Sequence, residues 1–374
     1  MKILSLSFVF IFCSVHFALS QQYKTEHVFI VTLDGMRWQE VFKGADSSIF
    51  IKKKYVKNVA EVRNKFWSPK PDSSRKLLMP FLWGIVAKQG QIYGNRNLGN
   101  RMNLSNSFWF SYPGYNEILT GRIHDMSICS NRKENNPNKN LFDLIKPKVS
   151  SVAAFGSWDV FPYILNEERT GICVNAGFRL ASDDSLSAKE KFLNELQPLI
   201  PSRWSAVRYD AFTHLYAMEY LKKKHPSLVY IGYGETDDFA HEGLYDQYLY
   251  TANRTDMFIS QLWDFICSDS VYKDKTTLII TTDHGRGNGR NNWKNHGRQC
   301  IHSGEVWLAV IGPDSPPLGE VHGKNQIYTS QIASSVLKLF GIDYAKNSSI
   351  GKPVTGMLPN VPEYFVSSSK TKVD

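Results

Sequence analysis

Residues 278–297 read LIITTDHGRGNGRNNWKNHG. The stretch opens as an apolar run, the pattern of a strand buried on both faces. It then passes directly into Asp283-His284, a glycine-rich loop and a second His-Gly pair, His296-Gly297. Carboxylate and imidazole at a strand's end are the groups a metal site requires. They are also ordinary loop residues, so the rest of the chain has to discriminate.

Two other segments repeat the pattern. HVFIVTLDGMR, residues 27–37, is an apolar strand broken by Asp34-Gly35, and SLVYIGYGETDD, residues 227–238, runs into Glu235 and Asp237. QIYGN (91–95), SVAAFGS (151–157) and VWLAVIGPD (306–314) read as further strands. Between them lie helical stretches: 79–90 stopped by Gly90, 113–121 with Pro113 in its first turn and Gly121 at its end, 208–224, 244–268, and 329–342 stopped near Gly341. Alternating strands and helices, with continuously apolar strands, predict an α/β fold: a largely parallel sheet covered by helices on both faces. Ligands of such sheets bind outside the carboxyl ends of the strands. Asp34, Asp237 and Asp283-His284 are therefore expected to meet there.

The chain has 374 residues, 42% of them hydrophobic, enough for one large core. A single catalytic domain is expected over 21–366, with less regular covering segments over about 122–205 and a short tail at 367–374. The first twenty residues, MKILSLSFVFIFCSVHFALS, have a basic start, a short apolar run and a small-x-small end at Ala18-Leu19-Ser20. That is the pattern of a cleavable export signal rather than a membrane anchor, and it implies a secreted or periplasmic protein. No later stretch reaches the roughly 18 consecutive apolar residues of a membrane span, so none is expected in the mature chain. Cys129, Cys173, Cys267 and Cys300 remain after cleavage and permit two disulfides. No Cys-x-x-Cys pair occurs, which disfavours a thiolate zinc site. The net charge of +9 comes with no nucleic-acid-binding signature, and fits attraction of an anionic small-molecule substrate.

The candidate ligands are Asp34, Asp237, His241, Asp283, His284 and His296. Asp237 and His241 are four apart, so on a helix both face one ion. Carboxylates mixed with imidazoles suit zinc ahead of manganese. A nucleophile is offered by SFWFSYPGYNEILTG, residues 107–121, where Ser111 precedes Tyr112-Pro113 at a helix start. The helix dipole there favours a phosphate. A plain N-cap is the alternative role for Ser111.

Six pieces in order, VTLDGMR, SYPGYNEILTG, GETDDFAHEG, TTDHGRG, KNHG and WLAVIGPD, resemble the alkaline phosphatase superfamily. The branch they resemble is the type I phosphodiesterase/nucleotide pyrophosphatase group. The resemblance implies two zinc ions at the carboxyl edge of the sheet. One would be held by Asp34, Ser111, Asp283 and His284, the other by Asp237, His241 and His296, with His302 the competitor for the last place. It implies a metal-dependent phosphoric ester hydrolase, a phosphodiesterase or phosphatase, acting through a phosphoryl-Ser111 intermediate. That group usually carries Asn three places after its nucleophile. Here Gly114 stands in that position, and Asn116 is the nearest substitute for binding phosphate. The alternatives are a sulfatase-like hydrolase, although the Arg of the sulfatase nucleophile motif is missing, and a non-catalytic metal-dependent binding module for phosphorylated ligands. Trp38, Tyr112 and Tyr115 are expected either to stack on a substrate ring or to pack the core.

Overall fold

The computed structural model describes residues 23–123, 126–342 and 351–359. The export signal expected at 1–20 and the tail expected at 367–374 lie outside the described residues. Among the described residues eleven strands form: β1 (His27–Leu33), β2 (Gln91–Tyr93), β3 (Arg101–Asn103), β4 (Val152–Gly156), β5 (Cys173–Ala176), β6 (Leu228–Tyr233), β7 (Thr276–Thr281), β8 (Glu305–Val306), β9 (Leu308–Ile311), β10 (Gly319–Glu320) and β11 (Gln326–Tyr328). Eight make one sheet in the order β10-β2-β9-β7-β1-β6-β4-β5, and β11-β3-β8 make a small second one. In the large sheet every neighbouring pair is parallel except those made by β9, which runs against β7 and β2.

The central strands are buried on both faces, and their side chains divide by the two-residue period of a strand. Phe29, Val31, Ile231, Leu278 and Ile280 enter one hydrophobic cluster, packed under the helices Asp210–Lys224 and Tyr245–Ser268. Val28, Ile30, Tyr230 and Ile279 enter the other, under Ser111–Thr120 and Ser330–Leu339. The continuous apolar runs thus serve two cores at once.

Register then levels the strand ends. Leu33 pairs with Tyr233, and Thr32 with Thr281. The next residues of three adjacent strands, Asp34, Glu235–Asp237 and Asp283-His284, are delivered to one edge.

Three details differ from the sequence reading. The strand read at 151–157 forms as β4, but residues 122–205, otherwise expected as cover, also supply β5, which extends the sheet by one further strand. The four-residue strand CVNA is too short to carry a pattern of its own. The helix expected over 79–90 contains a π-helical stretch, Leu82–Val86, and the buried Asp256 carboxylate accepts the amides of Phe81 (2.7 Å) and Leu82 (3.0 Å) just before it. The two permitted disulfides do not form: Cys129, Cys173, Cys267 and Cys300 are all free thiols. No helix among the described residues is long and apolar enough to cross a membrane.

Candidate active site

The six ligand candidates gather into two clusters at this edge: Asp34, Asp283 and His284, and Asp237, His241 and His296. In the first, His284 Nε2 lies 3.4 Å from Asp34 Oδ1 and 3.5 Å from Asp283 Oδ2. Both of those carboxylate oxygens are buried and lack a hydrogen-bond partner. Their other oxygens are occupied: Tyr115 O–H donates to Asp34 Oδ2 (2.7 Å), and the Gly35 amide to Asp283 Oδ1 (3.0 Å). The imidazole of His284 lies 2.9 Å from the Gly285 carbonyl through Nδ1. A carbonyl only accepts, so Nδ1 carries the proton and Nε2 offers its lone pair. Two carboxylate oxygens therefore converge beside this nitrogen with nothing to receive their lone pairs, and burying such groups unpaired is unfavourable. A cation fits this donor set.

Electrostatics agree. Burial, and then repulsion from Asp237, push the Asp34 carboxyl well above its ordinary range. Burial and Asp34 do the same to Asp283. For Asp237, burial acts in the same direction but is outweighed by Arg286, His241 and His296, which hold it well below the usual carboxylate range.

The second cluster sits on the helix Glu235–His241, which starts directly after β6. Asp210 fixes that start: its carboxylate accepts the amides of Gly234 (2.8 Å) and Glu235 (3.3 Å). One helical turn brings His241 Nε2 to 3.1 Å from Asp237 Oδ2. His296 arrives from the loop after β7, with Nε2 2.9 Å from His241 Nε2. Two imidazole nitrogens facing each other and a carboxylate suit a divalent cation. His302, the competing candidate, instead pairs through Nδ1 with Glu305 Oε1 at 3.0 Å.

Ser111 is the first residue of the helix Ser111–Thr120, not its cap; Phe110 holds the cap position. Its Oγ lies 3.3 Å from His284 Nε2, beside the first cluster. Gly114, one turn on, allows the helix this close. A Cβ there would stand 2.2 Å from the Asp283 carbonyl oxygen. Gly114→Ala is expected to destabilise the fold by about 1–3 kcal/mol and to weaken metal retention, since Asp283 or Ser111 must move. Urea melts with and without zinc check both effects.

Asn116 is turned elsewhere: its Oδ1 accepts from Asn136 Nδ2 (3.0 Å) and Asn138 Nδ2 (3.4 Å) in the neighbouring loop. An asparagine that does reach the start of the Ser111 helix is Asn131, whose Oδ1 accepts the Tyr112 amide at 3.0 Å. Sequence reading missed it because it sits in the Asn-rich loop NRKENNPNKN, where no local pattern marks it. Arg286, fully buried and paired with Asp237, was missed too. Its place two residues after His284 was the available signal. Asp238 adds a further carboxyl, pushed up to about 9 by burial and the neighbouring Asp237. Tyr115, Tyr112 and Trp38 are all buried, so they pack the core rather than offer a ring to a ligand.

No protein-family model matches this chain, and no curated protein matches its sequence. Solved structures do match in shape. A protein of the alkaline phosphatase superfamily from Vibrio parahaemolyticus superposes with a TM-score of 0.52 at 15% identity, over 89% of this chain and 70% of that one. The alkaline phosphatase PafA gives 0.57 at 10% identity, over 90% and 99%. A phosphonate monoester hydrolase from Silicibacter pomeroyi gives 0.55 at 13%, over 91% and 78%. Likeness at such identities is likeness of fold, and the fold is that of the alkaline phosphatase superfamily.

Proposed function

We propose that this chain, built on the alkaline phosphatase fold, is a metal-dependent hydrolase of anionic phosphoric esters, with Ser111 as its nucleophile. The observation that supports this most directly is the convergence of Ser111 Oγ, His284 Nε2 and the unpartnered Asp34 Oδ1 and Asp283 Oδ2 at one point. Asp34, Ser111, Asp283 and His284 would hold one divalent cation, and Asp237, His241 and His296 the other. Zinc matches the donors best. Bound there, the pair would supply Lewis-acid polarisation of the ester and favour the alkoxide of Ser111.

The chain's own residues do the rest. Tyr115 and the Gly35 amide orient the two aspartates, and Gly285 fixes the tautomer of His284. Arg286 offsets the charge of Asp237, so three carboxylates can be packed together. Ser111 Oγ forms a bond to phosphorus as the bond to the leaving oxygen breaks, and the departing alcohol gains a proton. Water then attacks the phosphoryl-Ser111 ester from the opposite side, the P–Oγ bond breaks, and Ser111 is restored. Asn131, seated on the Tyr112 amide, would present its carboxamide NH2 to a phosphoryl oxygen. Asn131→Ala is expected to lower kcat/KM about tenfold, the equivalent of one hydrogen bond to a charged group. Steady-state rates on an aryl phosphate measure it.

The test of the class uses mature protein loaded with zinc. Initial rates are compared on p-nitrophenyl phosphate, its bis ester and p-nitrophenyl sulfate. Turnover of either phosphate ester above the sulfate supports the reading, and the preferred ester decides between phosphatase and phosphodiesterase. Faster sulfate hydrolysis overturns it. The apolar leader read at residues 1–20 would take the enzyme out of the cytoplasm to meet such substrates.

A further inference from the structure

Trp109 stands two residues before Ser111 with φ at +55°. A bulky residue in the left-handed region stores about 1–2 kcal/mol of strain. It persists only where its surroundings over-determine it. Asn106 supplies the restraint: its Oδ1 accepts the amides of Phe108 (3.0 Å) and Trp109 (3.1 Å). Asn106 is itself buried and held by Glu117, which accepts both its amide (2.8 Å) and its Nδ2–H (2.9 Å) on Oε2. Glu117 is fully buried and belongs to the same helix as Ser111. It also accepts the Ser105 amide (2.8 Å) and the Ser330 amide (3.0 Å). The indole is accommodated by Gly304, where a Cβ would lie 2.8 Å from Trp109 Nε1.

The consequence of this turn is the direction of one carbonyl. Trp109 O lies 3.4 Å from His296 Nδ1. A carbonyl only accepts, so the contact places the proton on Nδ1 and leaves Nε2 facing His241 Nε2 and, at 3.8 Å, Asp237 Oδ1. In a relaxed, right-handed Trp109 the carbonyl would point away and His296 would lose this partner.

We propose that the Asn106–Trp109 turn is a positioning device for His296: the strained Trp109 carbonyl sets the tautomer and aim of this ligand toward the second cation. The proposal rests on the two-cation reading above. It implies that Glu117 links the nucleophile's helix to the second cation's ligand, so the two halves of the site are held in one register.

Two measurements on the full mature chain test it. In the zinc-free protein at neutral pH, ring 15N chemical shifts should show His296 protonated on Nδ1, and Asn106→Ala should shift it to a mixture of tautomers. A wild-type His296 protonated on Nε2 overturns the proposal, with no variant needed. In chelator-competition titrations with zinc, Asn106→Ala should weaken the second site about 10- to 100-fold and the first much less. Adding Trp109→Gly to that variant should recover most of the loss, because glycine takes a positive φ without strain. A purely structural defect would not be rescued in this way. Unchanged zinc affinity in Asn106→Ala, or no recovery in the double variant, overturns the proposal. A wild-type chain that binds no zinc, yet shows the Nδ1 tautomer, would sink the two-cation reading and leave the turn's hold on His296 intact.

Discussion

Ser111→Ala is expected to lower kcat on the preferred phosphate ester by roughly three to six orders of magnitude, while both cations are retained. The size of the loss follows from covalent catalysis: without Oγ no phosphoryl-enzyme forms, and hydrolysis falls back on what the rest of the site does for a water. Retention of metal follows from the geometry. Asp34, Asp283 and His284 still converge, and His241, Asp237 and His296 are untouched. Metal analysis beside single-turnover rates separates the two effects. A folded variant that keeps near-full turnover removes Ser111 from the mechanism. A variant that loses both turnover and metal reassigns Ser111 to ligand duty alone.

Chelation should produce the second large effect, and its sign with pH is fixed. Asp34 and Asp283 are raised, first by burial and then by neighbouring carboxylates. The folded, metal-free protein therefore holds protons that the unfolded chain releases near the ordinary carboxylate pKa. Its stability is greatest below that range, near pH 4, and is lost as pH rises toward the raised values. Asp237 runs the other way, because Arg286 and its histidines outweigh its burial, so its contribution is lost only in strong acid. Zinc at a thousand times its dissociation constant should restore about 4 kcal/mol per site. Denaturant melts in zinc and in EDTA at pH 5 and pH 8 should show a gap that widens with pH. Equal stability of the loaded and stripped protein at pH 8 would rule out occupancy of these clusters.

Much of this was legible in the chain. The apolar runs at 28–33, 228–233 and 278–281 could only be strands buried on both faces, and their polar ends could only lie on one edge once the sheet was parallel. Helix stops at Gly90, Gly121 and Gly341 marked the cover. Contacts made through loops were not legible. Asn131 reaches the Tyr112 amide across a loop, and Asn116, closer in sequence to Ser111, is turned toward Asn136 because it lies on another side of the helix. The positive φ of Trp109 has no sequence signal either, since the cause is a buried Asn106–Glu117 contact.

The sequence by itself therefore determined the fold class and the residue types at the strand ends, because hydrophobic periodicity and strand direction are local properties read residue by residue. Only the tertiary structure decided which lone pairs converge, which imidazole nitrogen is free, and which asparagine reaches the start of the Ser111 helix. Those depend on register between strands and on backbone groups offered by distant loops, and both are set by packing.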